Sequence, residues 1–83
     1  MALTRDITVN DIGKLVELQS GEIAEIIDFN ARRFSSYAVT IQIIDPNTRR
    51  IQYMTKEGYY LGEYHPTYLD IIAFVETSKR YFL

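Results

Sequence analysis

The segment YAVTIQIIDPNTRRIQYMT, residues 37–55, decides the fold. Its first part alternates large apolar residues with small or polar ones, which is typical of a β-strand with one buried face. The apolar positions are Tyr37, Val39, Ile41 and Ile43. Pro46 and Asn47 then predict a turn, because proline presets φ for the second turn position and asparagine tolerates the next one. The segment therefore predicts a β-hairpin.

On the returning strand of this hairpin, the alternation continues from residue 50 to residue 54. We expect Ile51 and Tyr53 to point inward, because a large apolar residue at every second position marks the buried face. The residues between and around them are expected to point outward: Arg50, Gln52 and Met54.

Three further apolar runs lie at residues 14–18, 23–30 and 69–75, separated by short turn signals. Ser20-Gly21 is a hairpin-type turn between the first two runs. Regular short spacing of this kind favours antiparallel strands over βαβ units. The chain is therefore predicted to be all-β, a small five-stranded barrel or antiparallel meander.

The run at residues 23–30 allows two interpretations. Ile23, Ile26 and Ile27 fit helical spacing, whereas Ala24, Ile26 and Asp28 alternate as in a strand. Its position directly after a two-residue turn favours a strand, with a bulge near Ile26 and Ile27.

The chain has 83 residues, of which 47% are hydrophobic, and it has no cysteine. This length predicts a single domain over residues 1–83, with an N-terminal arm at 1–12 and a C-terminal tail at 76–83 that forms a short helix or an edge strand. A core this small has little surplus stability, so a homo-oligomer is expected. No apolar run approaches the roughly 20 residues needed to span a bilayer, and the N-terminus lacks a signal-peptide pattern, so the expected location is cytoplasmic.

Catalytic side chains are scarce. His65 is the only histidine, which excludes a site built from several histidines. Four carboxylates lie at expected turns or strand ends and are interpreted as solvated: Asp45, Glu57, Glu63 and Asp70. The glycines are isolated, so there is no phosphate-binding glycine loop. We therefore expect no catalytic residue, no metal and no cofactor.

Binding residues are easier to nominate. Seven tyrosines are present, and four of them, together with the histidine, lie between residues 59 and 68. Two Arg-Arg pairs precede and follow the central strand, and guanidinium groups beside aromatic rings suit a phosphate-bearing ligand. The candidate ligand-binding residues are Arg32, Arg33, Arg49, Arg50, Tyr59, Tyr60, Tyr64, His65 and Tyr68. Alternatively, the tyrosines cover one end of the barrel and the arginines are solvated charges that protect a sheet edge.

The order of short motifs resembles that of small phage and prophage proteins with the pattern G-x-x-V-x-L, a tight turn, a central strand, Y-T-x-D/E-G-Y and a closing D-I-V. The matching segments are residues 13–18, 20–21, 37–39, 53–59 and 69–72, with Met54 inserted between Tyr53 and Thr55. The resemblance implies an SH3-like barrel acting in the host cytoplasm. Some phage proteins of this size look like inhibitors of bacterial immunity.

Three functions follow as hypotheses. The first is sequestration of a small anionic nucleotide signal from a bacterial defence system by the tyrosines and arginines. The second is binding of a host protein through a sheet edge or through the apolar residues 81–83 of the tail. The third is an SH3-like nucleic-acid module, which the net charge of −2 disfavours because phosphate contacts need concentrated positive charge.

Overall fold

In the computed structural model, residues 3, 5–30, 37–45, 47, 50–61 and 65–75 are described. They form one antiparallel sheet of five strands and one short 3₁₀ turn, so the predicted all-β, five-stranded fold is confirmed. The strands are β1 (Leu15–Leu18), β2 (Ile23–Phe29), β3 (Val39–Ile43), β4 (Ile51–Met54) and β5 (Ile71–Phe74), and the 3₁₀ turn is Val9–Asp11. The sheet order is β4-β3-β2-β1-β5. The predicted structure of the tail falls on residues 76–83, outside the described residues.

The central hairpin is confirmed, since β3 pairs with β4 in antiparallel register. The predicted faces of β4 are wrong, however. Val39, which is buried, lies opposite Met54, and directly opposed residues of a pair share a face of the sheet. Met54 is therefore 0% exposed, whereas Ile51 and Tyr53 are 48% and 52% exposed. A register displaced by one residue moves every side chain to the other face, and the connecting turn sets that register.

β2 carries the predicted bulge. Ile26 lies opposite Ile41 and Asp28 lies opposite Thr40, so Ile27 is the extra residue. Ala24 and Ile26 are fully buried before the bulge, and Phe29 packs against the core after it. The extra residue explains why the apolar positions of this strand imitate helical spacing.

The segment after β4 connects the two edges of the sheet, which are formed by β4 and β5. The carbonyl of Lys56 accepts a hydrogen bond from the Ile7 amide, and the carbonyl of Gly58 accepts one from the Ile71 amide, both at 2.8 Å. Gly58 has a φ of +94°, which favours glycine. Ile7 belongs to the core, so part of the expected N-terminal arm is an integral piece of the fold.

The inner face of the curled sheet holds one hydrophobic cluster. Its buried members are Ile7, Val16, Leu18, Ala24, Ile26, Val39, Ile41, Ile43, Met54 and Ile71. Most of this cluster comes from β1, β2 and β3. β4 is an edge strand of the sheet, and we call this edge, with the segment after β4, the rim. Exposed side chains at the rim are available for other contacts.

Candidate functional site

A shallow groove of about 290 Å³ runs beside β4 and is open to solvent. Three tyrosines, one glutamine and one leucine line it: Tyr37, Gln52, Tyr53, Tyr60 and Leu61. These residues come from three places in the chain, namely the entry to β3, the strand β4, and the loop after the turn at residues 55–58. None of the five lining residues is an aspartate, glutamate, lysine, arginine or histidine. We call this feature the tyrosine groove.

Asp70 fixes the loop that carries Tyr60. Its carboxylate accepts hydrogen bonds from the Tyr60 amide at 2.8 Å, the Thr67 amide at 3.2 Å and the Thr67 hydroxyl at 3.2 Å. Asp70 is only 3% exposed. The interpretation of this residue as a solvated carboxylate is therefore wrong, because the loop folds around it and uses it as a shared acceptor.

A second set of bonds holds the turn that precedes Tyr60. The Thr55 hydroxyl accepts from the Tyr59 amide at 3.0 Å, and the Thr55 amide donates to the Tyr59 carbonyl at 2.9 Å. Gly58 allows the chain to reverse between them. The loop side of the tyrosine groove is thus preorganised by hydrogen bonds between its backbone amides and the side chains of Thr55 and Asp70.

The predicted tyrosine cluster is divided by the fold. Tyr60 lines the groove, whereas Tyr59 and Tyr68 do not. The Tyr68 carbonyl accepts from the Ser20 amide beside the turn between β1 and β2, and its side chain is 73% exposed. His65 is exposed, and Tyr64 lies outside the described residues.

The predicted arginine sites are not brought together with these tyrosines by the described part of the chain. The Arg50 guanidinium forms an ion pair with the Glu22 carboxylate, and Arg50 is not a lining residue of the groove. Arg32, Arg33 and Arg49 fall outside the described residues.

Sequence reasoning missed four of the five groove residues, among them the two tyrosines Tyr37 and Tyr53. Both were expected to point into the barrel as part of the hairpin's apolar alternation. Tyr53 instead lies on the outward face because of its register opposite Thr40, and Tyr37 is half-buried at the rim. The only sequence signal for Tyr37 is its place at the very start of the alternating run, where burial is incomplete.

A second buried carboxylate, Asp11, supports the fold. It accepts two bonds from Arg5 and one from Lys14, at 2.8–2.9 Å, and it caps the 3₁₀ turn through the Thr8 amide. The Arg5 guanidinium, followed by the Thr8 and Lys14 bonds, holds the pKa of the Asp11 carboxyl well below its usual range, although burial opposes this shift. Arg5 also stacks over the Phe74 ring at 4.3 Å. Both carboxylate oxygens of Asp11 accept hydrogen bonds from within the chain. The cluster of Arg5, Asp11, Lys14 and Phe74 therefore pins the N-terminal segment onto the sheet.

No three His, Cys, Asp or Glu side chains of the described residues are placed together as metal ligands would be. Within the same residues, no helix has the length and apolar content needed to cross a bilayer.

Comparisons of the chain with protein-family models, with curated proteins and with solved structures found no significant match. Function is therefore inferred from the geometry of the tyrosine groove and of the surfaces around it.

Proposed function

We propose that this protein is a non-enzymatic binding module that holds a segment of a partner protein in the tyrosine groove. The observation that carries the proposal is the convergence of Tyr37, Tyr53 and Tyr60 at one rim of the sheet. Tyrosine offers a large rigid face with a polar tip and loses little conformational entropy when bound, which is why it is enriched at protein interfaces.

The shape of the groove supports a protein ligand over an enclosed small molecule. Small-molecule sites are typically clefts of roughly 300–1,000 Å³ that bury most of the ligand. The tyrosine groove, at about 290 Å³, is at the lower limit of that range and is largely open to solvent. It can accept one or two apolar side chains of a longer partner, while the rest of the partner lies across the neighbouring surface.

The charges around the groove also favour a protein ligand over a small anion. Arg50 is already paired with Glu22, and the described lining of the groove has no cation. Glu25 lies on the same outward face of the sheet as Tyr53, two strands away. A multiply charged anion would meet repulsion there, whereas an uncharged or basic peptide would not.

Sequestration of a small anionic nucleotide is the second candidate. Tyrosine rings stack on nucleobases, and Arg32 and Arg33 precede Tyr37 by only a few positions in the sequence. The resemblance to small phage proteins supports either ligand as part of an inhibitor of bacterial defence. On the first proposal the partner is a host protein.

The test is selection from a random peptide library displayed on phage, with matched tyrosine variants. Tyr53→Ser removes an exposed groove ring, and Tyr68→Ser removes a more exposed ring outside the groove. We expect wild type and Tyr68→Ser to enrich the same peptides, and Tyr53→Ser to lose them. Equal enrichment by all three proteins, or no enrichment by any, would contradict the proposal.

A separate experiment tests the second candidate, nucleotide sequestration. Calorimetric titration with cyclic dinucleotides, cyclic trinucleotides and ADP-ribose derivatives tests nucleotide binding directly. Heat that disappears in an Arg32→Ala, Arg33→Ala double variant, together with failure of the peptide selection, would establish the nucleotide candidate instead. Salt-sensitive retention on immobilised DNA or RNA would favour the nucleic-acid hypothesis. The expected homo-oligomer stays a prediction, which native mass spectrometry can test.

A further inference from the structure

The outer face of the sheet, which is the face away from the core, carries a patch in which aliphatic side chains surround two carboxylates. Cross-strand pairing places Leu15 opposite Glu25, and Glu25 opposite Gln42, which in turn lies opposite Ile51. The next row pairs Glu17 with Ile23, whose carbonyl accepts from the Ile44 amide at 2.8 Å. The members of this outer-face patch are Leu15, Glu17, Ile23, Glu25, Ile44 and Ile51.

The aliphatic part of the patch is accessible. Ile44 is 55% exposed and Ile51 is 48% exposed, while Leu15 and Ile23 are half-buried between the carboxylates. Isolated exposed aliphatic residues are common on protein surfaces, but a group that strand pairing brings together from β1, β2, β4 and the residue after β3 indicates an interaction site.

The two carboxylates have no cation of their own within the described chain. Glu17 and Glu25 are diagonal neighbours on β1 and β2, and no ion pair or side-chain hydrogen bond joins either of them to a described residue. The described basic side chains that form ion pairs are used elsewhere: Arg5 and Lys14 on Asp11, Arg50 on Glu22, and Lys56 on Asp6. Like charges at such spacing repel each other, so a cation from outside the chain would be bound favourably by both.

We propose that the outer-face patch binds a basic, aliphatic segment of a partner protein, with a lysine or arginine between Glu17 and Glu25. The apolar stem of a lysine or arginine packs along Leu15 and Ile23 while its charged end reaches the carboxylates. Aliphatic residues of the same segment cover Ile44 and Ile51. This inference shares with the proposed function only the assumption of a protein partner, because the two surfaces use different residues.

Charge selects this occupant over the alternatives. A second copy of the chain docked through the same patch would bring four carboxylates together, since a two-fold interface places the same patch on both sides. Nucleic acids and anionic lipid surfaces carry the same sign of charge as the patch and would be repelled. A basic protein segment is the class that complements both its charge and its apolar area.

The probe for this inference is the synthetic peptide Leu-Ser-Lys-Ser-Leu-Ser-Lys-Ser-Leu, which places leucines and lysines on one face when it is extended. Its matched control has glutamine in place of both lysines. Titrations followed by backbone amide shifts are made with wild type and with two variants that change the net charge equally, Glu25→Gln in the patch and Glu57→Gln outside it.

We expect the lysine peptide to shift amides of the outer-face patch and the glutamine peptide to bind about tenfold more weakly. Glu25→Gln should weaken binding of the lysine peptide about tenfold, and Glu57→Gln should leave it within about twofold of wild type. Equal effects of the two variants, shifts elsewhere, or no binding of the lysine peptide would overturn the inference. Tyr53→Ser, made in parallel, tests only the groove, so the two proposals fail separately.

Discussion

Replacement of Gly58 by alanine tests how closely the turn after β4 approaches the start of β5. A Cβ at this position would lie 3.2 Å from the Ile71 Cβ, 3.2 Å from the Ile71 carbonyl oxygen and 3.3 Å from the Leu3 Cδ1. The backbone also has a φ of +94°, which disfavours any residue with a Cβ. Gly58→Ala therefore combines backbone strain with overpacking.

Gly21 separates these two effects. It has the same φ of +94°, but nothing lies within 4 Å of the point that a Cβ would occupy, because Gly21 sits at the exposed turn between β1 and β2. The backbone penalty for alanine is about 1–2 kcal/mol and applies to both positions. Overpacking adds about 1–3 kcal/mol at Gly58 alone. Two of the three atoms that the new Cβ would crowd are the Cβ and the carbonyl oxygen of Ile71, which can move away only if the backbone moves.

The assay is urea unfolding of wild type, Gly21→Ala and Gly58→Ala under identical conditions. We expect Gly58→Ala to reduce the free energy of unfolding by about 1–3 kcal/mol more than Gly21→Ala does, with an unchanged dependence on urea. The loss of unfolded-state entropy on replacing glycine affects both variants alike and cancels in the comparison. Equal destabilisation by the two variants would refute the close contact between the turn and β5.

Two further predictions concern the buried carboxylates. Because the folded-state pKa of Asp11 is lowered, its stabilisation is complete well above the unfolded pKa of about 3.9 and is lost as pH falls below it. Asp11→Asn should therefore lower the free energy of unfolding by about 1–2 kcal/mol at pH 7, with the difference from wild type shrinking in acid; a difference independent of pH would contradict this. Asp70→Ala should cost about 2 kcal/mol and speed hydrogen exchange at the Tyr60 and Thr67 amides, which lose their acceptor; unchanged protection factors would contradict it.

Features set by local patterns were predictable from the sequence. The alternation from Tyr37 to Ile43 identifies a strand, and Ser20-Gly21 identifies a turn, because each depends on residues close together in the chain. The bulge near Ile27 was also predictable, since one extra residue disturbs an otherwise regular alternation.

Features set by tertiary register were not predictable. The outward face of Tyr53 depends on which residue of β3 lies opposite it, and both alternatives satisfy the local pattern of β4. The burial of Asp70 depends on how the loop carrying Tyr60 folds back over it. The groove therefore could not be assembled from the sequence, although Tyr60 was among the nominated residues.

Both proposed surfaces depend on the register of the central hairpin, and proton NMR measures that register directly. The Ile43 amide donates to the Arg50 carbonyl, so the alternation of an antiparallel ladder makes Thr40–Tyr53 and Gln42–Ile51 the closely spaced, non-hydrogen-bonded pairs. We predict strong Hα–Hα nuclear Overhauser effects within these two pairs. Strong Hα–Hα effects between Ile41 and either Ile51 or Tyr53 would show a register displaced by one residue. That register would place the side chains of Ile51 and Tyr53 on the inner face and would contradict the account.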